Sequence, residues 1–158
     1  MSNLRRIFVE RKDAYAIEGK MLLKDFKENL SIDGLDSLRI IRRYDIEEQD
    51  QGLYNLSQDT IFSDSVVDIV YEGEIDFADE DIVFGVEYLP GQYAQREDFT
   101  SQCLQILWKK DKPQVKAADI IVLRGDITKE DLEKIKDYYI NPVEMREISI
   151  GKGKDIKE

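Results

Sequence analysis

The sequence predicts an α+β protein built from two α/β units in tandem. Three observations point there. Stretches with apolar residues at every second position alternate with stretches at helical spacing along the whole chain. The same pattern returns in register at an offset of 77 residues. And 42% apolar residues in a chain of 158 can form a buried core, while no apolar run approaches the ~20 residues of a membrane-spanning helix.

The first unit is expected over residues 1–72. Ile7 and Val9 mark a strand over Arg5–Arg11, and Ile17, Met21, Leu22, Phe26 and Leu30 mark a helix over Ile17–Leu30. Ser31–Ser37, which contains Gly34, reads as the turn that ends it. Leu38, Ile40, Tyr44 and Ile46 then alternate along a long strand or strand pair interrupted by Arg42, followed by a short helix over Leu53–Phe62 and a strand over Val66–Tyr71. Residues 73–81 are acidic and lack a pattern, which marks a linker.

The second unit, over residues 82–150, repeats the order. A strand is expected over Ile82–Leu89, a turn at Pro90-Gly91, a helix over Gln92–Trp108 and a strand or hairpin over Val115–Arg124. Thr128 and Asp131 have the spacing of a capping pair for a helix over Thr128–Ile140, whose buried stripe is Leu132, Ile135 and Tyr139. Pro142 stops that helix, and Val143–Ile150 reads as the last strand before a polar tail at 151–158.

Superposed at the 77-residue offset, Ile7 and Val9 fall on Phe84 and Val86, and Leu22, Phe26 and Leu30 fall on Phe99, Cys103 and Leu107. The polar interruption Arg42 falls on Asp119. The shared pattern indicates a duplicated unit and a pseudo-two-fold pair of sheets, like a homodimer made into one chain.

Composition narrows the chemistry. The net charge is −11, against a phosphate-backbone partner. There is no histidine and only one cysteine, so the chain holds no Ser-His-Asp relay, no His-activated thiol, no Cys/His zinc site and no intrachain disulfide. A single thiol fits a reducing, cytoplasmic compartment. The charge is localised: Tyr44–Gln95 carries 14 carboxylates and no Lys or Arg, and the other 106 residues sum to +3. That stretch reads first as a solvated acidic face.

Few motifs rise above local turn chemistry. Leu89-Pro90-Gly91-Gln92-Tyr93 joins a strand to a helix, where a glycine gives a tight turn or lets a ligand approach the backbone. Arg124-Gly125-Asp126 sits at a strand-to-helix corner and reads as a turn. Gly151-Lys152-Gly153-Lys154 lacks the spacing of a phosphate-binding loop. Asp76, Asp79, Glu80 and Asp81 lack the order and glycine of a calcium loop, so no metal site is expected. Cys103, on the apolar stripe of its helix, reads as a core residue rather than a nucleophile.

Four segments together resemble one family. They are Arg5-Arg6-Ile7-Phe8-Val9-Glu10, Ile61-Phe62-Ser63-Asp64, Val86 to Arg96 with its Leu-Pro-Gly-Gln-Tyr-Ala-Gln-Arg run and the following Gln102-Cys103, and Asn141-Pro142-Val143-Glu144-Met145-Arg146. They are similar to the N-terminal region of the single-chain phosphoribosylformylglycinamidine synthase of clostridia and related bacteria, over about Asn3 to Arg146. The resemblance implies two fused copies of a small PurS-type accessory subunit, each ferredoxin-like with the order βαββαβ, packed as a pseudo-two-fold pair of antiparallel sheets.

The resemblance also implies a role. The whole enzyme converts an amide ribonucleotide to an amidine with ATP and glutamine-derived ammonia in purine biosynthesis, and this region holds the synthase and glutaminase parts together and helps shield the ammonia path. ATP and Mg then belong to a synthase domain outside this chain, and no cofactor and no catalytic residue is expected within it. Gln92, Gln95, Arg96, Asn141 and Arg146 are implied contacts to the catalytic parts, with Pro90, Gly91 and Pro142 as structural turn residues. Turn formation and internal hydrogen bonds are an alternative account of the same residues. The sequence departs from the family at Ala94, Glu97, Phe99 and Met145. A free-standing regulatory domain that binds a small metabolite at the cleft between the repeats is the other function the sequence allows.

Overall fold

The computed structural model describes residues 4–47, 52, 55, 57–89, 95–109 and 113–148. Along the chain run β1 (Leu4–Arg11), a 3-10 turn at Asp13–Tyr15, α1 (Ile17–Asn29) and β2 (Leu35–Glu47). A π-helical segment at Gln58–Phe62 and β3 (Asp68–Glu72) follow. Then come β4 (Ile82–Tyr88), α2 (Gln95–Trp108), β5 (Val115–Gly125), α3 (Lys129–Tyr139) and β6 (Met145–Ile148). The architecture is α+β: among the described residues, one six-stranded sheet in the order β3-β1-β2-β5-β4-β6, every pairing antiparallel, with the helices α1, α2 and α3. No helix among the described residues is long and apolar enough to cross a membrane.

Two expectations are corrected. The sheet is single rather than a pair, because β2 and β5 pair along their length, from Leu35↔Gly125 to Ile46↔Val115. And each half supplies three strands among the described residues, where a βαββαβ unit has four. The reason lies in β2 and β5. Neither run holds an internal Gly, Pro or Asn to turn on, so each continues as one long strand instead of a hairpin.

The halves share their strand registers. Ile7 pairs with Tyr44 and Phe84 with Ile121; Phe8 pairs with Tyr71 and Gly85 with Ile148. Each second pair is the first with 77 added. The strands that join the halves cross at the pair that this offset equates, Arg42↔Asp119.

Side chains alternate across the sheet. On one face, Ile7, Val9, Tyr44 and Ile46 pack with Phe62 and with Leu104 and Trp108 of α2, where the Trp108 indole N-H donates to Ser57 Oγ at 2.7 Å. Beside them, Leu38, Phe84, Val86, Ile121 and Leu123 pack with Phe26 of α1 and with Leu132 and Ile135 of α3. Helices α1, α2 and α3 therefore cover one face. The opposite face presents Phe8, Ile41, Val83, Ile120 and Val122, and the expected linker covers it as a strap, with Ile75 buried and Phe77 packed alongside.

Helix boundaries follow local chemistry. Thr128 Oγ1 accepts from Asp131 N and an Asp131 carboxylate oxygen accepts from Thr128 N, both at 3.0 Å, closing the anticipated capping box of α3. The stripe expected on α2 is corrected. Thr100, Ser101, Leu104 and Trp108 are its buried side, while Phe99 is 66% exposed and Cys103 only half-buried. Two apolar stripes lie side by side on this helix, and the one carrying the bulky Trp108 takes the core. On α1, Ile17 and Met21 likewise face outward while Phe26 is fully buried.

Candidate functional site

Polar groups converge where the two halves meet on the helical face. Arg42 and Asp119 replace apolar residues at the middle of β2 and β5, so a charge pair sits between the two apolar clusters. Arg42 Nη1 lies 2.9 Å from Asp119 Oδ1, and its Nη2 donates to Glu18 Oε1 at 2.6 Å. Arg96 Nη1 donates to the same Asp119 Oδ1 at 2.8 Å. Glu18 opens α1 and Arg96 opens α2, so a Glu18–Arg42–Asp119–Arg96 chain bridges the two helix starts across the central strands.

Electrostatics bind this chain tightly. Burial by itself would lower the Arg42 pKa, but the Asp119 and Glu18 carboxylates more than offset it and hold the guanidinium above its ordinary value. Burial, followed by the nearby Asp119 charge, pushes the Tyr139 phenol up. Tyr44 is raised chiefly by burial as well. Arg42 Nη1 is buried and, despite its contact with Asp119, makes no aligned hydrogen bond.

Beneath the first turn of α1 this network borders an open cleft of about 670 Å3. Its apolar lining includes Val9, Leu38, Ile40 and Tyr44, and Arg42 and Glu18 line it too. Among the described residues, the corresponding positions of the second half, Val86, Arg96, Asp119 and Met145, line a crevice of about 60 Å3. At the 77-residue offset Arg96 corresponds to Gly19. A Cβ on Gly19 would sit 3.3 Å from Leu38 O, so α1 lies close against β2 there.

A second cluster stands on the strap side of the sheet. Arg39 donates to Glu10 through Nε at 2.6 Å and Nη2 at 2.7 Å, and Tyr71 O-H donates to the same carboxylate at 3.2 Å. The two-pronged bond raises the Arg39 pKa. Asp81 accepts from Arg124 Nη2 at 2.7 Å and from Ala78 N at 2.9 Å, which ties down the end of the strap. Asp81 is thereby engaged in a structural role. No group of three or more His, Cys, Asp or Glu side chains among the described residues is arranged to hold a metal.

The residues singled out by family resemblance fall in several places. Arg96 belongs to the central network. Gln95 is exposed at the start of α2. Asn141 makes the turn before β6, its Oδ1 accepting from Val143 N at 3.1 Å and its Nδ2 donating to Glu144. Arg146 donates to Glu87 Oε2 at 2.7 Å across the β4–β6 ladder. Pro142 lies in the turn after α3, while Pro90, Gly91, Gln92 and Ala94 lie outside the described residues, as does the 151–158 tail. Of the departures, Glu97 accepts from Ala117 N at 2.7 Å, fastening α2 to β5, and Met145 begins β6.

Sequence reasoning did not single out Glu10, Glu18, Arg39 or Tyr71. The available signal was the polar break in an apolar strand face, which did mark Arg42 and Asp119. No protein-family model matches the sequence, and comparison with curated proteins returned no match.

Proposed function

We propose that this chain is a non-catalytic accessory domain of an ATP- and glutamine-dependent phosphoribosylformylglycinamidine synthase, bridging its synthase and glutaminase parts and helping to enclose the ammonia path. One observation carries the reading: two halves with the same strand registers, offset by 77 residues, join edge to edge through β2 and β5. That is the form a fused pair of small accessory subunits would take, and we infer that one unit was duplicated. The motif segments of the sequence point to the same family. ATP and Mg belong, on this reading, to the synthase domain, and the chain acts in the cytoplasm.

The test is association. The purified chain is mixed with a synthase–glutaminase fragment lacking its own accessory region, and complex formation is followed by size-exclusion chromatography with glutamine-dependent turnover as a second readout. Binding with gain of turnover is expected, and the chain alone should neither hydrolyse glutamine nor consume ATP. A folded chain that does not associate overturns the proposal. The second reading, a metabolite-binding regulatory domain, draws on the open cleft under α1, which lies within the first half and not between the repeats.

A further inference from the structure

We propose that the cleft beneath the first turn of α1 binds a small amphiphilic anion, a carboxylate or phosphate on an apolar body, and that the Glu18 carboxylate competes with it for Arg42. The inference stands apart from the accessory-domain reading. Its first ground is the cleft itself. About 670 Å3 lies within the range of small-molecule sites, and an apolar floor of Val9, Leu38, Ile40 and Tyr44 adjoins charged groups of both signs, the cations Arg11, Lys20, Arg39 and Arg42 and the carboxylates Glu10, Asp13, Glu18 and Asp68.

The second ground is a difference between the halves among the described residues. Val86, Arg96, Asp119 and Met145, which the 77-residue offset equates with Val9, Gly19, Arg42 and Asp68 of the cleft, line a crevice of about 60 Å3, and Arg96 stands where the first half has Gly19.

The third ground is charge. Arg42 and Arg96 share one buried-side carboxylate oxygen, Asp119 Oδ1, at 2.9 and 2.8 Å. The remaining counter-charge on Arg42 is Glu18, whose side chain is 65% exposed and meets Arg42 at 2.6 Å. An exposed side chain gains little from such a pair and swings away at small cost. When it does, Arg42 faces the cleft with its charge incompletely matched, next to apolar floor. A ligand oxyanion takes up the Glu18 contact, and the ligand's apolar part covers Val9 and Ile40.

Isothermal titration of the full chain with phenylacetate, phenyl phosphate and inorganic phosphate tests this. Binding of one phenyl compound is expected, at least about tenfold tighter than inorganic phosphate because the ring buries apolar surface. Phenylacetate against phenyl phosphate decides which oxyanion the cleft takes. Glu18→Gln should tighten that binding severalfold, an effect opposite to simple structural damage. Arg42→Gln should weaken it about tenfold or more. If Arg42→Gln does not fold, Glu18→Gln decides alone. No binding to the wild type and Glu18→Gln proteins, unchanged or weaker binding in Glu18→Gln, or inorganic phosphate bound as tightly as the phenyl compounds, overturns the proposal.

Discussion

Arg42 and Asp119 stand directly opposite each other in the β2–β5 ladder, 77 residues apart in the chain, with Arg42 Nη1 2.9 Å from Asp119 Oδ1. Two strands of equal register meet at this point, and a homotypic pairing would set like against like. The inverted charges make the seam attractive.

Removing one partner should show it. Asp119→Asn leaves Arg42 and Arg96 without their shared carboxylate, and a loss of about 2 kcal/mol in urea unfolding is expected. Combining Arg42→Met with Asp119→Leu should cost less than the two single changes together, because an apolar pair needs no counter-charge. Additive single-site losses would show the pair to be uncoupled.

The turn that leads into β2 and the end of β5 approach each other with no room for a side chain. A Cβ on Gly34 would lie 2.0 Å from Asp126 O, and one on Gly125, whose φ is +146°, would lie 2.3 Å from Gly34 O. Gly34→Ala and Gly125→Ala should each destabilise by more than about 2 kcal/mol, visible as a drop in urea midpoint with unchanged slope. Gly73→Ala is the contrast. Nothing lies within 4 Å of its added Cβ and only its positive φ of +77° opposes it, so about 1 kcal/mol is expected.

Alkaline pH should weaken the fold through Tyr139. Burial, then the Asp119 charge, raises its folded-state pKa above the ordinary 10.0, so the folded chain holds the phenolic proton more tightly than the unfolded chain does. The contribution is complete below about pH 10 and is lost as pH rises beyond it toward the folded-state value. Tyrosinate absorbance should show the buried phenols Tyr139 and Tyr44 ionising together with unfolding, and Tyr139→Phe should flatten the alkaline limb of the stability curve.

Thr128→Ala removes one half of the α3 capping box, and about 1 kcal/mol of stability should go with it. Amide hydrogen exchange should rise first at Asp131 and Leu132. A Thr128→Ser variant, which keeps the hydroxyl, should restore protection.

The helices and strands were legible because burial leaves a local trace. Ile7 and Val9 alternate with charged neighbours, and Leu132 and Ile135 recur at helical spacing. The capping pair at Thr128 and Asp131 and the polar breaks at Arg42 and Asp119 could be read the same way. The face of α2 could not. Phe99, Cys103 and Leu107 form as regular a stripe as Thr100, Leu104 and Trp108, and only contact with Val115 and Ala117 on the sheet selects the second. Of the candidate site, Arg96 and the central pair were visible. Glu18, an exposed acid in the first turn of a helix, carries no mark that it will meet Arg42 from 24 residues away.

By itself, the sequence determined the order of elements, the 77-residue repeat of their pattern and the absence of imidazole chemistry, since each depends on residue identity and near neighbours alone. The tertiary structure decided that the two halves share one sheet and that the linker becomes a strap over Phe8 and Ile41. It also decided that a cleft opens beneath the first turn of α1. These depend on which apolar surfaces and which opposite charges, far apart in the chain, bury one another best.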